Sequence, residues 1–178
     1  FHPFTRRSES NRALITAASR IGEVRIRDIY ELYPDFGIDV DVEQQALLDT
    51  DLVIFQHPFY WYSCPALMKE WLDAVLEYGW AYGTGGDKLR GKHWLQIITT
   101  GGPERAYRRG GTNEFTVPEF LRPFERTAHL CEMTYHSPLL VQGTFGLEDS
   151  DRENYGEQYS KILKSAIEGN LPPLLSTR

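Results

Sequence analysis

The hydrophobic pattern divides most of the chain into alternating strand and helix segments. The clearest unit covers 52–76, where a short apolar run at 52–55 is followed by an aromatic loop and then by an amphipathic segment. Such apolar runs are typical of strands that are buried on both faces. In the last segment apolar residues recur at helical spacing, so we predict a helix with Ser63 as its N-cap and Pro65 in its first turn.

The same pattern predicts further strands and helices on both sides of this unit. We expect strands at 24–29, 93–99 and 135–141, the last interrupted by Pro138, and helices after Ser8 or Ser10 and at 42–48, 118–130 and 149–168. Strands that alternate with helices predict an α/β fold with a doubly wound parallel sheet and helices on both faces. The loop at 2–11 should follow a strand. We therefore expect a first, central strand upstream of Phe1, and five strands in a single domain over 1–178.

Composition restricts the function classes. A length of 178 residues suits one domain, and a net charge of −6 argues against nucleic acid as the main partner. No apolar run approaches the roughly 20 residues of a membrane span. The two cysteines, Cys64 and Cys131, give neither a disulfide framework nor a metal spacing, so we expect a cytoplasmic protein with no metal.

Three loops, at 2–11, 58–63 and 99–107, should end at the same edge of the sheet, where ligands of open α/β sheets bind. The first has no glycine-rich pattern for a dinucleotide or a triphosphate. It offers Ser8, Ser10 and Asn11 at a helix N-terminus, where free N–H groups favour a phosphate. Taken alone, this loop is explained more simply by a helix cap.

The other two loops suit a flat ligand with a polar edge. The loop at 58–63 carries a row of four aromatic residues, and Thr99, Thr100, Gly101 and Gly102 follow the next strand. Backbone N–H groups beside such glycines can hydrogen-bond the oxygen and nitrogen edge of a flavin, although an ordinary glycine turn has the same sequence. His57 ends the preceding strand, and we favour a structural hydrogen-bonding role for it over catalysis.

Several motifs together resemble one family. They are His2-Pro3 with Ser8-x-Ser10-Asn11, then Gln56-His57-Pro58-x-x-Trp61-Tyr62-Ser63-x-Pro65 with Lys69, Trp71 and Asp73, then Gly79-Trp80-Ala81-Tyr82-Gly83, and Thr99-Thr100-Gly101-Gly102. Over residues 1 to about 141 the chain resembles the flavodoxin-like NAD(P)H:quinone oxidoreductases. Within them, the segment Tyr33-Pro34-Asp35-Phe36-x-Ile38-Asp39 and the strand end Phe55-Gln56-His57-Pro58 are most similar to the ancillary oxidoreductases of the glutathione-gated potassium-efflux (Kef) antiporters.

The resemblance implies FMN, with FAD less favoured, and assigns roles to residues of the three loops. The phosphate and ribityl end would lie at His2, Ser8, Ser10 and Asn11, the ring between Phe59, Tyr60, Trp61 and Tyr62, and the polar edge of the ring at Thr99, Thr100, Gly101 and Gly102. Tyr107 would assist hydride transfer, but the family's partnering histidine is replaced by Asn113. Tyr82 would line the substrate pocket from a second subunit, which implies a homodimer.

The function that follows is two-electron, ping-pong hydride transfer from NAD(P)H through FMN to a quinone or a similar small acceptor. A second hypothesis is a regulatory subunit of a potassium antiporter, peripheral on the inner face of the cell membrane. A third is an electron-carrying flavodoxin, against which the aromatic ring site and Tyr107 argue.

Overall fold

A computed structural model describes residues 1–174, which form four strands, seven α-helices and three short 3-10 turns. The strands are β1 (Leu52–Pro58), β2 (His93–Thr100), β3 (Thr134–Tyr135) and β4 (Leu139–Gln142). The helices are α1 (Glu9–Ser19), α2 (Ile29–Leu32), α3 (Val40–Leu48), α4 (Ala66–Val75), α5 (Val117–Phe120), α6 (Arg122–Leu130) and α7 (Asp149–Ile167). Three helices precede the first described strand, and from β1 onward strand segments alternate with helical segments, as expected for an α/β protein.

β2 lies in the middle of the described sheet, and its ladders are all parallel. On one side it pairs with the whole of β1, in a register that runs from Leu52 opposite His93 to Pro58 opposite Thr99. On the other side β3 pairs with its start and β4 with its end. β3 and β4 therefore behave as one strand that is interrupted around Pro138, as predicted. Within residues 1–174 the sheet has four strands, so the expected five are not confirmed.

Helices cover both faces of the sheet, and β2 separates the two halves of the core. Its side chains alternate, so that Trp94 and Ile98 join a cluster with α4 and α6, whereas Leu95 and Ile97 join another with α1 and α7. All four side chains are fully buried. Full burial of each such side chain stabilises the fold by about 1.5–3 kcal/mol.

The strand predicted at 24–29 is wrong as a paired strand. Residues 24–28 are not in helix or strand, and Ile29 already begins α2. The backbone N–H groups of Arg25, Ile26, Arg27 and Asp28 donate to no backbone acceptor among the described residues. Alternating apolar and polar residues favour extended backbone, but a ladder also requires a neighbouring strand.

Two helix boundaries also differ from the predictions. The cap of α4 is Pro65 rather than Ser63, and Ser63 instead closes a turn in which its N–H donates to the carbonyl of Tyr60. The helix predicted at 118–130 is divided into α5 and α6 at Leu121. Pro123 explains the break, since it has no N–H to donate to the carbonyl four residues earlier. Elsewhere the helices at 42–48 and 149–168 are confirmed within two residues, and Ser8 caps α1.

Candidate functional site

The second and third loops begin side by side at the carboxyl ends of β1 and β2. Pro58 lies opposite Thr99 in the ladder, and the Phe59 N–H donates to the Thr99 carbonyl at 2.8 Å. Because parallel strands end at one edge, the aromatic loop and the Thr99–Gly102 loop leave the sheet together. The sequence predicted this meeting.

The first loop joins the same edge through Gln56 of β1. The Gln56 side-chain amide donates to Asn11 Oδ1 at 2.5 Å, and the Asn11 N–H donates to the Ser8 hydroxyl at 3.3 Å. Asn11 and Ser10 are both buried at the start of α1. The three predicted loops are thus connected through β1 and β2.

The first turn of α1 keeps donors that an anion can use. Ser8 caps the helix and accepts from Asn11, whereas the N–H groups of Glu9 and Ser10 donate to no acceptor among residues 1–174. Free N–H groups and the positive end of the helix dipole together favour a phosphate at such a terminus.

His2 adds a further donor to this end of the site. Its Nδ1 accepts from the N–H of Phe4 at 3.0 Å, so the neutral ring carries its proton on Nε2. Burial lowers the pKa of His2, the N-terminal charge lowers it further, and Asp28 opposes both effects. The ring is therefore kept neutral at physiological pH, with one N–H free to donate.

The aromatic loop is a strained turn. The Ser63 N–H donates to the carbonyl of Tyr60 at 2.9 Å, and the two central residues, Trp61 and Tyr62, have φ values of 49° and 62°. Side-chain-bearing residues adopt this left-handed region rarely, at about 1–3 kcal/mol each, and such strain concentrates at functional sites. The Trp61 side chain is 92% exposed, so its conformation is not explained by burial.

The other aromatic residues of the second loop contact the third loop. The Phe59 ring packs against those of Tyr62 and Tyr107, with centroid distances of 6.2 and 5.8 Å. The Tyr62 hydroxyl donates to Asn113 Oδ1 at 3.3 Å. Asn113, which stands where the resemblance places a histidine, therefore binds the aromatic loop, and no hydrogen bond among the described residues joins it to Tyr107.

The glycines of the third loop allow two aromatic rings to approach the backbone. A Cβ atom at Gly102 would lie 3.0 Å from the Tyr107 ring, and one at Gly101 would lie 2.5 Å from the Phe145 ring. The N–H groups of both glycines donate to no acceptor among the described residues. Two free donors thus lie between two aromatic side chains, which matches the polar edge and flat face of a flavin ring.

Phe145 was missed by the sequence analysis. It lies in a 3-10 turn, Thr144–Gly146, directly after β4, and its side chain is 93% exposed. The signal was present, since the end of the last strand belongs to the same edge of the sheet as the three loops. An aromatic residue at that point was therefore a candidate for the site.

Tyr107 is held as a protonated hydroxyl. Partial burial raises its pKa, and a hydrogen bond with the Thr100 side chain opposes this effect. Its ring lies against Gly102, so the O–H group stays close to the free backbone donors of the third loop. The side chain can therefore donate a hydrogen bond near neutral pH.

Tyr82 lies on the glycine-rich loop between α4 and β2. Its ring packs edge-on against Tyr78, with a centroid distance of 5.8 Å. Its place in a substrate pocket formed with a second subunit stays a prediction.

His57 belongs to a buried polar network beneath the edge of the sheet where the three loops meet. Its Nδ1 donates to the Pro58 carbonyl at 2.9 Å, and its Nε2 accepts from the Gln96 amide at 3.0 Å. The Tyr135 hydroxyl donates in turn to Gln96 Oε1. Complete burial lowers the pKa of His57 to about 4, so the ring is neutral. These contacts favour the structural role over catalysis.

The fold and this edge of the sheet define the class of protein. The family whose description is "Flavodoxin-like fold" matches residues 1–163, so the chain belongs to the flavodoxin-like family, as expected. Among curated relatives, the glutathione-regulated potassium-efflux system ancillary protein KefG of Serratia proteamaculans (strain 568) is 45% identical over 166 residues. The match covers 93% of this chain and 91% of the relative, and it confirms the resemblance to the Kef ancillary proteins.

Solved structures show the same similarity. The general stress protein 14 of Treponema denticola in complex with FMN has a TM-score of 0.86 at 33% identity, covering 92% of this chain and 94% of that one. An NADPH-quinone reductase from P. pentosaceus has a TM-score of 0.80 at 30% identity, covering 90% and 92%. The names of two proteins with closely similar folds thus mention FMN and quinone reduction.

Proposed function

We propose that this chain binds one FMN at the edge formed by the three loops and reduces quinones with NAD(P)H. One observation carries the proposal: free backbone donors at Glu9, Ser10, Gly101 and Gly102 lie at the same sheet edge as an exposed, strained Trp61. The FMN complex of the Treponema denticola protein and the name of the P. pentosaceus reductase support it.

Each part of the edge suits one part of FMN. His2, Ser8, Ser10 and Asn11 would hold the phosphate and ribityl end, because a neutral imidazole N–H and helix N-terminal donors suit an anion. The aromatic loop at 59–62 would flank the ring. Thr99, Thr100, Gly101 and Gly102 would bind its polar edge. FMN is favoured over FAD because the first loop provides one helix N-terminus for one phosphate group.

The chain's own residues would bind FMN, orient its ring and hold a proton beside it. FMN, when bound, supplies the hydride chemistry. The free Gly101 and Gly102 N–H groups would stabilise negative charge on a ring held beside them, and the neutral Tyr107 hydroxyl would hold a proton close to these donors. Position 113 is an asparagine that accepts a hydrogen bond from Tyr62, so Tyr107 would act without a histidine partner there. Donor and acceptor would use the exposed Trp61 side in turn, which is the ping-pong order.

The assembly belongs to the same proposal. We infer a homodimer in which Tyr82 of each subunit lines the acceptor pocket of the other. The protein would act in the cytoplasm with a quinone or a similar small molecule as acceptor. No helix among the described residues is both long and apolar enough to cross a bilayer.

The experiment is reconstitution followed by turnover. Purified protein is titrated with FMN and with FAD, and oxidation of NADH and of NADPH is followed with a benzoquinone acceptor. We expect one FMN per chain and quinone-dependent oxidation. Tyr107→Phe should lower kcat with FMN affinity unchanged, whereas Tyr155→Phe on α7 serves as the matched control. Failure of the folded protein to bind either flavin would overturn the proposal.

A second candidate function is that of an ancillary subunit of a potassium antiporter. The relatives named KefG favour it, and their similarity covers most of this chain. The test is potassium flux with the antiporter in the presence of wild-type protein or Tyr107→Phe. Flux that needs the protein but tolerates the variant supports a regulatory role. Flux that is unchanged when the protein is omitted contradicts that role.

A further inference from the structure

Two histidines from neighbouring strands form a hydrogen-bonded pair on the β3 side of β2. His93 begins β2, and His136 directly follows β3. Their ring centroids lie 5.1 Å apart, and His93 Nδ1 lies 2.9 Å from His136 Nε2. His136 is buried, whereas His93 is partly exposed. The pair lies at the amino end of β2, so it is separate from the edge where the three loops meet.

A contact with the segment 170–174 fixes the protons of the pair. His136 Nδ1 lies 2.6 Å from the carbonyl oxygen of Pro172, which can only accept, so Nδ1 carries a proton. In the neutral ring Nε2 is then an acceptor, and His93 Nδ1 must donate to it. One arrangement of protons therefore satisfies both hydrogen bonds.

Three successive carbonyls of the segment 170–174 accept hydrogen bonds from the two residues after β3. Besides the contact of His136 with Pro172, the Ser137 N–H donates to the Pro173 carbonyl at 2.9 Å, and the Ser137 hydroxyl donates to the Leu174 carbonyl at 3.1 Å. His136 and Leu174 also form an antiparallel bridge. An imidazole thus supplies one of the donors that hold this segment against the sheet.

The docked pair can take up one extra proton but not two. The first can add at His93 Nε2, because His93 Nδ1 still donates to His136 Nε2. A second would place two N–H groups face to face across 2.9 Å and two cationic rings side by side. The Pro172 contact keeps the His136 ring from turning. If His93 turned instead, the charged Nε2–H of His136 would be buried without an acceptor.

The surroundings of the pair oppose a second positive charge. Burial lowers the pKa of His93, the neighbouring His136 ring lowers it further, and the Asp51 carboxylate opposes both effects. The segment 170–174 has no titratable side chain that could compensate. Among the described residues no ion pair joins either imidazole to a carboxylate.

Other titratable side chains of the adjoining elements have partners elsewhere. Lys164 and Glu168, at the end of α7, form no ion pair with either ring in the described part of the chain. Tyr135 donates to Gln96, Lys92 donates to the carbonyls of Leu48 and Thr50, Glu132 pairs with Arg90, and Glu125 pairs with Arg122.

We propose that His93 and His136 form a pH-sensitive latch, which docks the segment 170–174 on the sheet at neutral pH and releases it in mildly acidic solution. Release removes the Pro172 constraint, so both rings reach water and each can take a proton. The released state binds one more proton than the docked state. Its population relative to the docked state therefore rises by up to about tenfold per pH unit below about pH 6.5.

The test follows the Ser137 and Leu174 amides by NMR from about pH 7 to about pH 5 in three proteins. They are wild type, His93→Gln and the control His129→Gln, which removes an exposed histidine of α6. Glutamine at 93 can donate to neutral His136 or accept from its charged form, so the docked state tolerates either. We expect the ratio of released to docked protein to rise at least tenfold in wild type and in the control, and less than threefold in His93→Gln.

Two further signals of the wild-type protein sharpen the test. The Leu95 amide, in the middle of β2, should stay unchanged, which shows that the segment moves while the sheet remains folded. The ring signals of His93 and His136 should show the second proton being taken up in the same pH interval as the release.

Three results would overturn the proposal. A wild-type segment that stays docked at about pH 5, with both rings protonated, would show that the docked state tolerates two charges. Equal pH dependence in wild type and His93→Gln would show that the pair does not control release. Release of the His93→Gln segment already at neutral pH would show that docking needs the imidazole itself. These readouts are taken without flavin, so they are independent of the proposed function.

Discussion

Two regions of one segment, only four positions apart in the sequence, differ in almost every physical respect. At His57, β1 contributes to a buried network with Gln96 and Tyr135 in which the side-chain polar atoms are paired. At Trp61 the chain forms an exposed turn with two consecutive left-handed residues. The first region has satisfied hydrogen bonds and no strain, and the second has strain and an unburied indole.

The difference indicates how the molecule separates stability from binding. The network fixes the carboxyl ends of β1 and β2, where the second and third loops begin. It contributes no side chain to the candidate site itself. The turn presents its aromatic side chains at a free-energy cost that the scaffold must support. Changes at the network should therefore alter unfolding, whereas changes at the turn should alter ligand binding.

The largest expected effect is a loss of unfolding free energy in the variant Gln96→Met. The substitution keeps the volume but leaves the His57 Nε2 and the Tyr135 hydroxyl buried without partners, so we expect a loss of about 3 kcal/mol of unfolding free energy. Urea unfolding measures it. Gln45→Met on the surface of α3 is the matched control and should change stability by less than about 0.5 kcal/mol. Equal effects of the two substitutions would contradict the role of the network.

Lowering the pH should reduce the free energy of unfolding by a comparable amount. The folded pKa of His57 is about 4, against an ordinary value of 6.5, so the unfolded chain takes up its proton first as pH falls. The stability contributed by the neutral ring is complete above pH 6.5 and is lost progressively down to pH 4, by roughly 3 kcal/mol.

Unfolding free energies of wild type and His57→Gln between pH 4 and 7 isolate this contribution, because all other groups titrate in both proteins. The difference between the two should shrink as pH falls. A difference that is constant over this range would show that His57 does not titrate as the buried network requires.

A smaller effect, on binding alone, should come from Trp61→Ala. We expect FMN affinity to fall at least tenfold, which is about 1.4 kcal/mol, because a large flat contact to the ring is lost. Unfolding free energy without flavin should stay within about 0.5 kcal/mol, since the side chain is exposed. Flavin fluorescence titration and urea unfolding give both values, with Leu130→Ala on α6 as the control. Unchanged FMN affinity would show that the turn is not part of the flavin site.

The smallest effect isolates strain in the turn. Trp61→Gly and Trp61→Ala both remove the indole, but only glycine adopts positive φ freely. We expect the glycine variant to be more stable than the alanine variant by about 1 kcal/mol in the absence of flavin. Urea unfolding of the pair measures the difference. A glycine variant less stable than the alanine variant would show that the turn is not strained.

Local patterns predicted the parts of this molecule that depend on neighbouring residues in the chain. The apolar runs before Pro58 and Thr100 predicted β1 and β2, and the rule that parallel strands end at one edge of the sheet predicted that their loops meet. Pairing is not local, which is why the segment at 24–28 was predicted as a strand although it has no ladder among the described residues.

Two other misses have different causes. The N–H of Ser63 is taken by a turn whose left-handed residues are aromatic, and such a turn has no sequence signal, so the cap of α4 was placed two residues early. Phe145 was overlooked because it lies after an interrupted strand, where the edge of the sheet is harder to locate. In both cases the tertiary arrangement decided among alternatives that the local pattern allowed.

The central claim is that the three loops bind one FMN, and an amide chemical-shift titration tests it directly. FMN is added to isotope-labelled protein while the backbone signals are followed. We predict that the amides of Ser10, Trp61 and Gly101 shift together and saturate at one FMN per chain, while that of Leu130 stays unchanged. Absence of binding by the folded protein, or saturable shifts that leave these three amides unmoved, would contradict the account.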